Sequence, residues 1–91
     1  MAIMAVIGTV NPEVLGAAIV AQYGANHYQF ASNVWFVPDA GTTKDVMDKL
    51  GLATGKIGAQ GVVLKFTAYA GFAPVPAWTW LQKNSEAVPN G

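Results

Sequence analysis

The segment Ala2–Ile7 constrains this chain more than any other. All six residues are apolar: Ile3, Ala5 and Ile7 fall on one side of an extended chain, Met4 and Val6 on the other. A short run apolar on both faces reads as a strand buried in the middle of a sheet. Such a strand needs cover on both sides, and a chain of 91 residues has little material to supply it.

The next element is an unusual helix. Asn11 offers an N-cap oxygen, Pro12 suits the first helical position, and Glu13 stands where the helix dipole favours an acid. The helix is expected to run to about Tyr23 and to stop at Gly24. At 100° per residue, Leu15, Ile19 and Tyr23 share a core stripe with Val20 beside them. The opposite face holds Val14, Ala17, Ala18 and Ala21, so only Glu13 and Gln22 are polar. A helix apolar all round is normally buried all round.

Asn26–Ala31 alternates, with His27, Gln29 and Ala31 on one face and Tyr28 and Phe30 on the other, as in a half-buried strand. Ser32-Asn33 fits a two-residue turn, and Val34–Val37 is a second strand apolar on both faces. Thr42 or Thr43 caps a second helix, with Asp45 placed for a capping box. Val46, Met47 and Leu50 form its apolar stripe; Lys44, Asp45, Asp48 and Lys49 form a wet face with two i,i+4 pairs of opposite charge. Residues 53–61 are a Gly-rich loop, and Val62–Tyr69 alternates as an edge strand carrying Lys65. Ala77–Lys83 is expected to be a fifth strand with Trp78 and Trp80 on one face, and 84–91 a flexible tail. The domain is therefore 1–83.

The order β-α-β-β-α-β places the two doubly apolar strands first and third. That is what an α+β ferredoxin-like sandwich requires: an antiparallel sheet ordered 4-1-3-2 with both helices on one face, here with an extra C-terminal strand. The other face, apolar too, then needs a partner sheet. Charged residues make up 11% of the chain, under half the usual ~25%, and the net charge is zero. Both observations predict a homo-oligomer, a dimer in the first instance, with interface candidates Val14, Ala17, Ala18, Ala21, Trp78 and Trp80. Asn11-Pro12-Glu13 interrupts the first apolar run, so no membrane span is expected, and no Lys or Arg precedes that run as a signal peptide would need. The cytoplasm is the expected compartment.

The residues offer little for catalysis. There is no cysteine, and one histidine. Gly51–Ile57 has three residues between its glycines, and Ile57 stands where a phosphate loop has Ser or Thr. The five basic residues are all lysines, too few for a nucleic-acid groove. No catalytic residue, metal or cofactor is expected. If there is a ligand pocket, its candidates are His27, Tyr28, Trp35 and Asp39, with His27 and Asp39 at the far ends of one hairpin. The alternative for those two is an edge-strand histidine and a turn aspartate capping the Gly41-Thr42 bend.

The order of elements, with Ser32-Asn33-Val34-Trp35-Phe36-Val37 and a Trp-containing terminal segment, resembles a group of small bacterial ferredoxin-like proteins similar to the small nuclease subunit of CRISPR adaptation. The resemblance implies the fold and dimerisation. In the nuclease an acid after the first strand holds the catalytic metal; here Gly8-Thr9-Val10-Asn11 carries none. The pattern is also similar to the dimeric αβ-barrel proteins, whose cofactor-free enzymes bind small molecules between sheet and helices, which implies a pocket near His27, Tyr28, Asn33 or Trp35. An assembly domain is the first expectation, a small-molecule binder of the αβ-barrel kind the second, and a degenerate metal-dependent nuclease the third.

Overall fold

The run Ala2–Val10 is a nine-residue strand, β1, at the centre of a four-stranded sheet. It is hydrogen-bonded on both sides, antiparallel to β3 (Val34–Asp39) and to β4 (Gln60–Phe66), and β2 (Tyr28–Ala31) completes the sheet beside β3. The computed structural model describes residues 2–66, 68–69, 75–84 and 88–89. The order β2-β3-β1-β4, read from the other edge, is 4-1-3-2. With α1 (Pro12–Tyr23) and α2 (Thr43–Leu50) as the two crossovers, this is the ferredoxin-like α+β sandwich.

The sheet's alternation divides its side chains cleanly. Met4, Val6, Trp35, Val37 and Val63 face α1 and α2 and form the main core with Leu15, Ile19, Val46 and Leu50. The turns after α2 close one end of this core with Leu52, Ile57 and Ala59. The Gly51–Ile57 stretch is thus a packed connector leading into β4. On the outer face the cross-strand rows are Pro38–Ile3–Phe66, Phe36–Ala5–Leu64 and Val34–Ile7–Val62. None of these nine side chains is charged.

The outer face is where the structure departs from expectation. Val75–Asn84, predicted to contain a strand over Ala77–Lys83, is a helix, α3. Ala77 and Leu81, four residues apart, are both buried, and α3 contacts β1 and β2. Trp80 lies over the outer face, its ring centroid 6.4 Å from that of Phe36 and 6.3 Å from that of Tyr28. On a helix Trp78 and Trp80 no longer share a face. The physical reason is that Pro76 in the first turn costs a helix little, whereas seven residues are too few to separate a period of 2 from 3.6. The outer face therefore receives part of its cover from within the chain. Of the expected tail, Asn84 ends α3, and Val88–Pro89 (β6) pair in parallel with Ala68–Tyr69 (β5). The rest of 84–91 lies outside the described residues. Thr67 also lies outside them, so the expected strand to Tyr69 is described as β4 and β5.

Two local details differ as well. Asn11 takes a left-handed conformation (φ 50°), and its side-chain amide donates to Gly58 O at 2.7 Å instead of capping α1. Thr42 does form the capping box with Asp45. That bond occupies Asp45, so Lys49 turns to Asp39, and of the two expected i,i+4 pairs only Lys44–Asp48 forms, at 3.2 Å.

Candidate functional site

Three features of the fold merit a functional reading: a buried carboxylate, a cleft on the helix side, and the uncovered part of the outer face. Asp39 ends β3 and is only 5% exposed. Its Oδ2 accepts from Tyr23 Oη at 2.8 Å and from Lys49 Nζ at 2.7 Å, and its Oδ1 accepts from Gly41 N at 2.7 Å. Burial alone would raise the carboxyl pKa, but the bonds from Lys49, Gly41 and Tyr23 and the Lys49 charge outweigh it and hold Asp39 below the usual carboxylate range. Burial, then the bond to Asp39 and its charge, push the Tyr23 phenol above its usual range. Both oxygens of Asp39 are thus bonded, to α1 and α2 through Oδ2 and to the bend that follows β3 through Oδ1. The group is a structural tie, and it caps the Gly41 bend as an aspartate there can.

His27 is not bonded to Asp39. Its Nδ1 donates to Gly24 O at 2.7 Å, because a carbonyl can only accept. Tyr28 faces the other way, stacked on Phe36 at 6.4 Å. Of the four pocket candidates only His27 and Trp35 come together. They line a cleft of about 450 Å³ between edge strand β2 and α1. Gln29 and Ser32 complete the strand side; Pro12, Glu13, Gly16, Ala17 and Val20 form the helix side. Gly16 is what lets the helix lie on the indole: a Cβ there would stand 3.0 Å from Trp35 Cζ2. Val20, expected beside the core stripe, is exposed and belongs to this cleft instead. The small residue at 16 opposite the tryptophan at 35 was the available signal, but only the fold pairs them.

The interface candidates are dispersed. Val14, Ala17 and Ala21 are exposed on α1, whereas Ala18 packs against the core. Trp80 is used within the chain, as described, and Trp78 is half-buried. Large exposed apolar side chains also lie on the outer face of the sheet. Phe30, Val62 and Leu64 are 44%, 48% and 51% exposed there. Phe30 is placed on this face by its ring contact with Phe36 at 5.1 Å. The alternation of Val62, Leu64 and Phe66 in the sequence pointed to this surface without saying which face was covered.

Among the described residues no three His, Asp or Glu side chains are grouped to hold a metal ion, and no helix is long and apolar enough to cross a membrane. The chain matches no known protein-family model, no curated protein and no solved structure. The functional reading therefore rests on this geometry.

Proposed function

We propose that this domain is an assembly module that pairs with a second copy of itself through the uncovered part of its outer sheet face. The observation that carries the reading is the group Phe30, Val62 and Leu64, about half exposed on a face whose cross-strand rows bear no charge. Phe30 stands on β2 and Val62 and Leu64 on β4, at the two edges of an apolar sheet face, and large exposed apolar side chains on one face of a small domain mark a contact surface. A two-fold contact apposes the same patch from both copies, so it must be self-complementary. An uncharged apolar face meets that condition, since no like charges are brought together. The chain's zero net charge adds no long-range repulsion between copies.

Size-exclusion chromatography with light scattering tests the proposal. The wild-type chain is expected to run as a dimer at micromolar concentration, and Leu64→Glu as a monomer with unchanged circular dichroism. Ala21→Lys, on the outer side of α1, is expected to leave the dimer intact. A clean wild-type monomer, or a dimer broken by Ala21→Lys and not by Leu64→Glu, overturns the assignment.

A further inference from the structure

Strand β2 is an edge of the sheet, hydrogen-bonded to β3 on one side and to no described strand on the other. A strand edge carries a row of unpaired N–H and C=O groups, on which another extended chain can pair. Three of the four residues of β2 are exposed, so solvent reaches this row. Tyr28-Gln29-Phe30-Ala31 holds no charge, whereas edges that repel other strands commonly carry lysine. Its four residues, with a register broken between Gln29 and Ala31, give a growing sheet little to build on. A short segment needs no more than that length.

The cleft between α1 and β2 runs beside this edge. Side chains of a strand alternate between its two faces. Tyr28 and Phe30 meet Phe36 on the outer face, so His27 and Gln29 turn to the helix side, where they line the cleft with Ser32. Trp35 on the neighbouring strand and Pro12, Gly16, Ala17 and Val20 on α1 form the other walls. A strand laid beside β2 follows the same alternation, so every second side chain of it points to the helix side and into this space.

We propose that β2 and the cleft together bind an extended peptide segment as a fifth strand. The edge takes the main chain of the segment, and the cleft takes its alternate side chains. The lining sets the kind of segment. Pro12, Ala17, Val20 and Trp35 are apolar, which suits short apolar side chains. Of the lining residues Glu13 is the only acid and none is a lysine, so like charge turns away an acidic segment and a neutral or basic one fits. The proposed pairing of two copies uses the outer face of the sheet and this site uses the edge and the helix side, so either can fail without the other.

The probe is the peptide acetyl-Thr-Val-Lys-Val-Thr-amide, titrated into the ¹⁵N-labelled chain. It is expected to shift the backbone amides of residues 28–31 saturably and to slow their hydrogen exchange. Alternate N–H groups of an added strand face its neighbour. Two analogues use this: one N-methylated on both valines, the other on the lysine and the last threonine. One of them is expected to bind at least about tenfold more weakly, through two lost hydrogen bonds, and the other to bind like the parent. Ala17→Phe, at an exposed position of α1, fills the cleft and is expected to weaken the probe at least about tenfold with unchanged circular dichroism. Leu64→Glu, aimed at the outer face, is expected to bind it like the wild type. Unmoved amides at 28–31, an equal effect of the two methylated analogues, or undiminished binding to Ala17→Phe overturns the proposal. So does a shift of the same amides with protein concentration alone, which would put a second copy on this edge.

Discussion

Replacing Asp39 by alanine should be among the most damaging single changes at any charged position in this chain. The carboxylate accepts three hydrogen bonds, from Tyr23, Lys49 and Gly41, at 2.7–2.8 Å while 5% exposed. Its removal leaves the Gly41 N–H and the Tyr23 hydroxyl without an acceptor, each worth about 1 kcal/mol or more. The Lys49 ammonium is about half exposed and regains water, so its loss is discounted well below that of a fully buried pair. The sum is about 2–3 kcal/mol for Asp39→Ala, or a fall of roughly 10–20 °C in melting temperature for a domain of this size. Asp39→Asn keeps the shape and one acceptor oxygen but loses the charge, and should cost about 1–2 kcal/mol. The control is on α2, the helix that carries Lys49: Lys44–Asp48 is exposed on both sides, and Asp48→Ala should change stability by no more than about 0.5 kcal/mol. Urea unfolding followed by tryptophan fluorescence measures all three. If Asp39→Ala costs no more than Asp48→Ala, the tie between α1, α2 and the β3 bend is not what holds these elements together.

Acid should act through the same group. Its pKa is lowered in the folded chain, so its contribution is complete above the unfolded value of about 3.9 and is lost as pH falls through the folded value. The melting temperature of the wild type should therefore drop below about pH 4, and Asp39→Asn should show a shallower drop; identical acid profiles would refute the linkage. Gly61 is paired with Gly8 across β1 and β4, and a Cβ there would stand 2.6 Å from Ile7 O, which is backbone and cannot yield alone. Gly61→Ala should cost about 1–3 kcal/mol by urea unfolding, and a change under about 0.5 kcal/mol would show that the strands spread freely at this point.

The parts of this fold that were legible in the sequence are those where a single physical demand acts alone. Ala2–Ile7 and Val34–Val37 must be central because both faces are apolar, and they are. Thr42 and Asp45 announce the start of α2 by a local bond that needs no tertiary context. Elsewhere two demands competed. Asn11 is a fitting cap by type, yet a carbonyl 47 residues away takes its amide. The segment holding Trp78 and Trp80 satisfies both periods, and the uncovered outer face decides for helix by accepting Ala77, Trp80 and Leu81. Of the pocket candidates, His27 and Trp35 were placed together, but Glu13 and Gly16 join them only because α1 crosses the sheet at that point.

The two edges of the sheet bear on how far self-association can go. A strand edge with free backbone groups is a template on which further chains can add without limit. Here β2 is four residues long and its register is broken between Gln29 and Ala31, while β4 carries exposed Lys65 along its length. Both are poor starting points for edge-to-edge growth. A chain with half-exposed Phe30, Val62 and Leu64 and few charges would otherwise be exposed to fibrillar aggregation. Blunted edges leave the proposed face-to-face contact as the available geometry, and such a contact would be complete once two copies had met.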